Sequence, residues 1–139
     1  RIIASFCGVF GFSIMFNSTI PMSATAALIG AVANTFRLEL IDFTDMPPAA
    51  AAFIGALSAG LLASEIKKNN GYPRISLTVP SIVIMVPGLY LYRAIYNFGI
   101  MSLTEAVSWF TSAIMIIIML PLGLIFARIL TDRTFRFCT

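Results

Sequence analysis

The sequence contains no histidine, only two cysteines and few charged residues, and each shortage removes a class of function. Cys7 and Cys138 sit at opposite ends of the chain, so neither a disulfide framework nor a thiolate metal site is supported. There is no Gly-rich phosphate loop of the Walker type, and no arrangement of residues resembles a catalytic dyad or triad. We therefore predict that the protein is not an enzyme and that it holds no metal and no cofactor.

Charge is scarce as well. Charged residues make up 11% of the chain, hydrophobic residues make up 59%, and the mean hydropathy is +0.95. Soluble domains carry roughly 25% charged residues. The small net charge of +3 comes from basic residues in loops and the tail, which fits control of membrane topology better than nucleic-acid binding. The composition predicts an all-α, polytopic integral membrane protein that contacts the lipid bilayer and has no nucleic-acid partner.

Five apolar spans can be drawn, about the number that fits in this length at roughly 20 residues per span. They cover approximately residues 2–17, 21–40, 48–66, 75–98 and 103–129. We interpret residues 1–139 as a single transmembrane domain. The first span is short and the sequence opens at Arg1 without a methionine, so we expect further N-terminal residues to precede it.

The fourth span is interrupted by Pro80, Pro87 and Gly88. A proline inside a helix removes a backbone donor and clashes with the carbonyl one turn earlier. In hydrocarbon, such a break survives only where protein or a wet cavity satisfies the freed polar groups. Discontinuous spans are also where transporters build their binding sites. We therefore predict that the fourth helix is discontinuous.

A helix that restarts after Pro87 would leave the N–H groups of Gly88, Leu89 and Tyr90 without intrahelical partners. These donors and the positive end of the helix dipole would suit a carboxylate, and the hydroxyls of Tyr90 and Tyr92 lie close in sequence. The candidate substrate-binding residues at the break are Pro87, Gly88, Leu89, Tyr90 and Tyr92. The alternative is a plain kink, with the backbone satisfied by neighbouring helices.

A second candidate is the stripe formed by Gly30, Asn34 and Arg37, whose spacing places them on one face of the second helix. Arg37 could bind a substrate carboxylate through two parallel hydrogen bonds. Alternatively, it lies at the membrane edge and extends its side chain to the headgroups. Asn34 and Arg37 complete the set of candidate substrate-binding residues.

Three further groups of residues are less informative. Arg93 is either an interfacial anchor or a cavity residue. The acidic residues at positions 39, 42 and 45 are expected in a solvated loop between the second and third spans. The third span carries two rows of small residues, which predict close packing against other helices. The spacing does not distinguish such packing from a surface on which helices slide during transport. The rows are Ala52, Ala56, Gly60 and Ser64, and Ala51, Gly55, Ala59 and Ala63.

Orientation follows from the basic residues in short loops. Six of the nine fall on the side that carries the C-terminal tail: Lys67, Lys68, Arg74, Arg128, Arg133 and Arg136. The other three are Arg1, Arg37 and Arg93. We therefore predict a cytoplasmic C-terminus.

Several motifs occur together in order: Phe10-Gly11-Phe12-Ser13-Ile14-Met15-Phe16-Asn17, Ala27-Leu28-Ile29-Gly30, Asn34 with Arg37, and Val86-Pro87-Gly88 followed by Tyr92. In this combination the chain resembles the threonine/serine exporter family, specifically its C-terminal membrane domain. That domain also exists as a separate small subunit beside a larger one. The resemblance covers most of the chain; it is strongest over residues 4–94 and weak in the last span. Where some relatives have a histidine this chain has Asn34, so the resemblance assigns no proton-linked role to that position.

The resemblance implies export of small carboxylate-bearing metabolites, namely threonine and serine or a dicarboxylate such as succinate. The chain would be the small subunit of a cell inner membrane exporter, paired with a larger membrane subunit of the same family. Two other classes stay open: a non-transporting scaffold or assembly subunit, which leaves the broken span unexplained, and a channel subunit. A homo-oligomer also stays open.

Overall fold

The computed structural model of the protein describes residues 1–132, apart from the side chains of residues 68–70, and all regular structure in that part is helical. This confirms the predicted all-α fold. The helices are α1 (Ile2–Met15), α2 (Ile20–Thr44), α3 (Pro48–Asn70), α4 (Arg74–Val83), α5 (Gly88–Gly99) and α6 (Leu103–Thr131). The side chain of Lys68 and the residues Arg133, Arg136 and Cys138, which enter the orientation argument, lie outside what the structure describes.

Four segments are long and apolar enough to cross a membrane: α2, α3, α4 together with α5, and α6. The remaining helix, α1, is apolar but has only 14 residues, fewer than the roughly 20 that a full span needs. The predicted discontinuity of the fourth span is confirmed, because residues 84–87 separate α4 from α5.

Burial follows the pattern of a protein in lipid. The buried core consists largely of alanines, with Leu77, Met85 and Ile116 among its few large side chains. Large apolar side chains instead lie exposed on every helix, for example Phe12 on α1 and Ile95 on α5. Lipid tails are as apolar as these side chains, so helix association in a bilayer depends on close backbone approach through small residues.

Two ion pairs identify the two ends of the bundle. Arg1 pairs with Asp42, which brings the start of α1 to the end of α2. Arg74 pairs with Asp132 at 3.2 Å, which brings the start of α4 to the residue after α6. We call these the Arg1 end and the Asp132 end. Successive spans run back and forth between them, so α1 starts at one end and α6 finishes at the other.

Short turns connect the spans, and each turn places one residue in the left-handed backbone region. These residues are Asn17 (φ 58°), Asp45 (φ 48°), Gly71 (φ 70°) and Met101 (φ 62°), and no other described residue has a positive φ. The connection between α4 and α5 has none, because the chain does not reverse there. It is therefore an interruption within one span.

The small residues of α3 bring it against α6 and α2. A Cβ atom on Gly60 would lie 2.6 Å from the Cβ of Ala127, and one on Gly123 would lie 2.6 Å from the carbonyl oxygen of Phe53. Gly55, in the other row, faces Arg37 of α2. Both rows therefore serve close packing, as the sequence predicts.

The prediction that the acidic residues form a loop is wrong for two of the three. Glu39 and Asp42 lie on the last turns of α2, which continues to Thr44, four residues past the predicted end of the span. Only Asp45 follows the helix. Consequently Arg37 lies seven residues, or about 10 Å, inside the end of its helix.

Candidate functional site at the helix break

Pro87 explains where α4 ends. Its ring clashes with the carbonyl four residues earlier, and it has no N–H to bond to that carbonyl. That carbonyl belongs to Val83, the last residue of α4. The chain tightens instead, since the amide of Met85 donates to Ile82 O (2.9 Å) and the amide of Val86 donates to Val83 O (3.2 Å).

The restart of the helix differs in one respect from the sequence prediction. The amide of Gly88 is not free, because it donates to Val86 O at 2.8 Å across a tight turn at Pro87 (φ −79°, ψ 53°). The first bond of the helical type runs from the amide of Leu91 to Pro87 O at 3.1 Å. Of the three amides predicted to be free, those of Leu89 and Tyr90 therefore have no backbone acceptor among the described residues.

Arg37 reaches the break from α2. Its Nη1 donates to the carbonyl oxygen of Met85 at 2.9 Å, and Met85 itself is fully buried. Gly55 of α3 makes room for this contact, since a Cβ there would lie 3.0 Å from Arg37 Cβ and 3.4 Å from Met85 Sδ. The guanidinium therefore bonds inside the bundle, which favours the interior reading of Arg37 over the membrane-edge reading.

One nitrogen of Arg37, Nε, is buried and has no hydrogen-bond partner among the described residues. An unsatisfied buried donor costs roughly 1–3 kcal/mol, and such groups in native structures call for an explanation. A cation held beside interrupted backbone is thus the main electrostatic feature of the break.

Asn34 does not join the break. Its Nδ2 donates to Ser5 Oγ on α1 at 2.8 Å, and its Oδ1 is buried without a partner in residues 1–132. Gly30, on the same stripe, allows α1 and α4 to approach α2: a Cβ there would lie 2.6 Å from Val9 Cγ2 and 3.1 Å from Ser81 Cα. Within this stripe, Gly30 and Asn34 therefore serve helix packing, whereas Arg37 reaches the break.

Aromatic contacts hold the restarted helix on α6. The rings of Tyr90 and Trp109 lie 5.5 Å apart, and the guanidinium of Arg93 lies 4.7 Å above the Trp109 ring. Arg93 is exposed on the surface of this chain. Tyr92 is 65% exposed and its ring stacks on that of Tyr96.

The comparison with known protein families decides the class of the protein. Residues 1–130 match the family described as Threonine/Serine exporter, ThrE. The chain belongs to the threonine/serine exporter family. No curated protein and no solved structure matches it. The suspected resemblance is thereby confirmed, as are the expectations of a membrane protein with a transport role.

In this exporter-family protein the break brings Arg37 to the backbone segment that leads into Pro87, Gly88 and Tyr90. Leu89 is adjacent but 60% exposed. Within residues 1–132, no group of three or more His, Cys, Asp or Glu residues could hold a metal ion. Arg37 and the start of α5 place positive charge at the break.

Three residues that complete the site were missed by sequence reasoning. Met85 supplies the carbonyl, Gly55 supplies the space, and Trp109 anchors α5. Trp109 carried the only available signal, as the single tryptophan of the chain. Met85 and Gly55 resemble ordinary residues of apolar helices, and only the packing of α2, α3 and the break distinguishes them.

Proposed function

We propose that this chain is the small membrane subunit of an exporter for small carboxylate-bearing metabolites, and that the break between α4 and α5 is its contribution to the substrate site. Family membership supports export of threonine and serine as a class of activity. Threonine, serine and a dicarboxylate such as succinate share a carboxylate. The observation that carries the proposal is the guanidinium of Arg37 bonded to the backbone of the break.

The chemistry of the break suits a carboxylate in two ways. Arg37 supplies a permanent positive charge and an Nε–H without an acceptor in the described chain. The start of α5 supplies the positive end of a helix dipole and the amides of Leu89 and Tyr90. A carboxylate that bridged the two would satisfy donors that otherwise remain unpaired.

The break is also open to a ligand on one side. Gly88 is exposed, and apart from the adjoining residues and backbone of its own helix no atom lies within 4 Å of the position a Cβ would occupy there. Arg37 Nε, in contrast, is buried in this conformation. We infer that substrate approaches along the Gly88 side and that movement of α5 against α2 exposes Arg37. Since α5 packs mainly on α6, such a movement disturbs few helix contacts.

Because α5 packs mainly on α6, its remaining surface is available to a partner protein. The outer side of α5 exposes Leu89, Tyr92, Ile95 and Tyr96. We propose that a larger membrane subunit of the same family covers this side and completes the site, in a cell inner membrane with the C-terminus of this chain cytoplasmic. A homo-oligomer is the competing arrangement, and co-purification of tagged copies with each other in the absence of the larger subunit would identify it.

The experiment measures export of threonine, serine and succinate, normalised to the amount of membrane-inserted protein, with and without the larger subunit. Replacement of Pro87 by alanine and Gly88 by leucine should straighten the span, since both new residues favour helix. Space around Gly88 accommodates the leucine. We expect export to collapse while insertion persists, because insertion depends on overall apolarity.

A matched control is available within the chain. Pro121→Ala with Gly99→Leu makes the same two changes at an exposed proline inside α6 and at a glycine with equally open surroundings. Export should survive in this variant. Unchanged normalised export in the Pro87/Gly88 variant would show that the break is only a kink and that this chain's site lies elsewhere.

A further inference from the structure

The helices form two groups, judged by which of them pack on one another. Helices α1, α2 and α4 make up the first group, and α3 and α5, which both pack on α6, make up the second with it. The groups meet where α3 lies against α2 and α4. The interrupted span joins them covalently, since α4 belongs to the first group and α5 to the second. Residues 84–87 of the break are therefore positioned as a hinge between the two groups.

At the Asp132 end the two groups are separated by a crevice between α4 and α6, which encloses about 390 Å³. Helices α4 and α6 do not pack closely on each other in the described part of the chain. Along α4 the crevice extends from Arg74 to Val79, and the break begins at Ile84. The α4–α6 crevice therefore leads from the Asp132 end toward the proposed substrate site.

One ion pair joins the two groups across this crevice. Arg74, in the first group, pairs through Nη1 with Asp132 Oδ2 at 3.2 Å, and its Nη2 donates to Gly60 O of α3 at 3.3 Å. Only 12% of the Arg74 side chain and 30% of the Asp132 side chain are exposed. Charged hydrogen bonds in such partly buried positions contribute more than ion pairs on an exposed surface. The pair therefore holds the start of α4 to the end of α6.

Each of the two charges lies at the unfavourable end of its own helix. Arg74 is the first residue of α4, where the helix dipole is positive, and Asp132 follows the last residue of α6, where the dipole is negative. Across the crevice, the guanidinium of Arg74 instead lies at the negative end of α6. Contact between the two helix ends therefore compensates the position of both charges, and separation loses this compensation.

The pair can nevertheless open without stranding a charge. Arg128, one turn earlier on α6, places its Nε 3.8 Å from the same oxygen of Asp132. If α4 moves away, Asp132 keeps this partner within its own helix, and the guanidinium of Arg74 becomes exposed to water. The contact therefore has two arrangements, one across the crevice and one within α6.

We propose that the Arg74–Asp132 pair is a gate. When it is formed, it closes the α4–α6 crevice at the Asp132 end. When it opens, the two helix groups rotate about residues 84–87 and the crevice connects the Asp132 end to the break, on a route distinct from the Gly88 side. That substrate passes along this route rests on the proposed function, whereas the opening and closing of the crevice does not.

The test measures the width of the crevice between two spin labels, one at Ile75→Cys on α4 and one at Ile125→Cys on α6. Both isoleucines are exposed and line the crevice. The full chain is studied in liposomes by electron–electron double resonance, with Cys7 and Cys138 replaced by alanine. The liposomes contain neither substrate nor a larger subunit, so these distances test the gate whether or not the proposed function holds.

Loss of the pair should favour the wider crevice. Arg74→Gln or Asp132→Asn should raise the ratio of long to short distances at least about tenfold, the effect of one charged hydrogen bond. The double variant should open no further than Arg74→Gln alone, because both substitutions remove the same pair. Glu65→Gln is the matched control, since Glu65 is an exposed carboxylate near the Asp132 end that forms no ion pair with a described residue. It should keep the distances of the unmodified chain.

Unchanged distances in Asp132→Asn, an equal change in Glu65→Gln, or additive opening in the double variant would each overturn the gate. If Arg74→Gln fails to insert, Asp132→Asn alone decides the matter. A second experiment links the two cysteines at positions 75 and 125 with a cleavable bifunctional thiol reagent. Export should stop in the linked protein and return when the link is cleaved. Continued export with the crevice linked would refute the gate, whereas absence of export before linking would refute the proposed function instead.

Discussion

Replacement of Arg37 separates the two tasks that the structure suggests for it. One task is structural, since Nη1 ties α2 to the carbonyl of Met85. The other is the proposed binding of a substrate carboxylate through the donors on the Nε side. Lysine keeps the charge and can donate to Met85 O, but it lacks the planar fork that points donors in two directions. Methionine keeps an unbranched chain and abolishes both tasks.

The magnitudes follow from the contacts. A hydrogen bond from a charged donor is worth roughly 1.5–3 kcal/mol, and Arg37→Met also leaves the buried Met85 carbonyl unpaired. Arg37→Met should therefore shift the equilibrium by roughly 10- to 150-fold from the break as seen in the structure toward a state in which α2 no longer holds it. Arg37→Lys should leave this equilibrium nearly unchanged, yet lower the affinity for a carboxylate at least about tenfold through the loss of one charged hydrogen bond.

Two assays distinguish these effects. Amide hydrogen exchange over residues 82–92 reports opening of the break, and export normalised to inserted protein reports substrate handling. Arg93→Lys is the matched control, because Arg93 is an exposed arginine that lies over the Trp109 ring. Normal export by a well-expressed Arg37→Lys protein would refute the substrate role. Unchanged exchange in Arg37→Met would refute the structural role.

Two further predictions concern topology and packing. With the exposed Cys7 replaced by alanine, an impermeant thiol reagent should label Cys138 only after permeabilisation, because the basic residues favour a cytoplasmic tail; ready labelling in intact cells would reverse the orientation. Gly123→Ala should lower thermal stability by about 1–3 kcal/mol, since its Cβ would lie 2.6 Å from the backbone oxygen of Phe53. Gly11→Ala, with nothing within 4 Å, is the control, and equal melting temperatures for the two variants would contradict the close α3–α6 contact.

Much of the fold could be predicted from the sequence because bilayer thickness and apolarity fix where spans begin and end. The predicted starts of the third and fifth spans coincide with α3 and α6. The acidic residues Glu39 and Asp42 predict that the second span ends at about residue 40, whereas α2 continues past them to Thr44. Charged residues in the last turns of a helix that reaches the membrane surface do not end it, so composition alone misplaces that boundary.

The candidate site was predictable only in part. Pro87 and Gly88 predict the break, because proline cannot donate a backbone hydrogen bond and its ring clashes with the carbonyl of Val83. The sequence did not reveal that the Gly88 amide turns back to Val86 O, since that bond depends on the backbone angles at Pro87. It also placed Asn34 and Arg37 on one stripe, whereas they contact different neighbours, Ser5 on α1 and Met85 at the break.

The sequence by itself determined that this is an all-helical membrane protein of the threonine/serine exporter type with an interrupted fourth span. Those properties are local: they depend on runs of apolar residues, on proline and on ordered motifs. Only the tertiary structure decided that Arg37 bonds to the interruption, that Gly55 makes room for it and that Trp109 anchors the restarted helix. These contacts join residues far apart in the chain, and which helix faces meet is decided by the close packing of small residues across three helices rather than by any one segment.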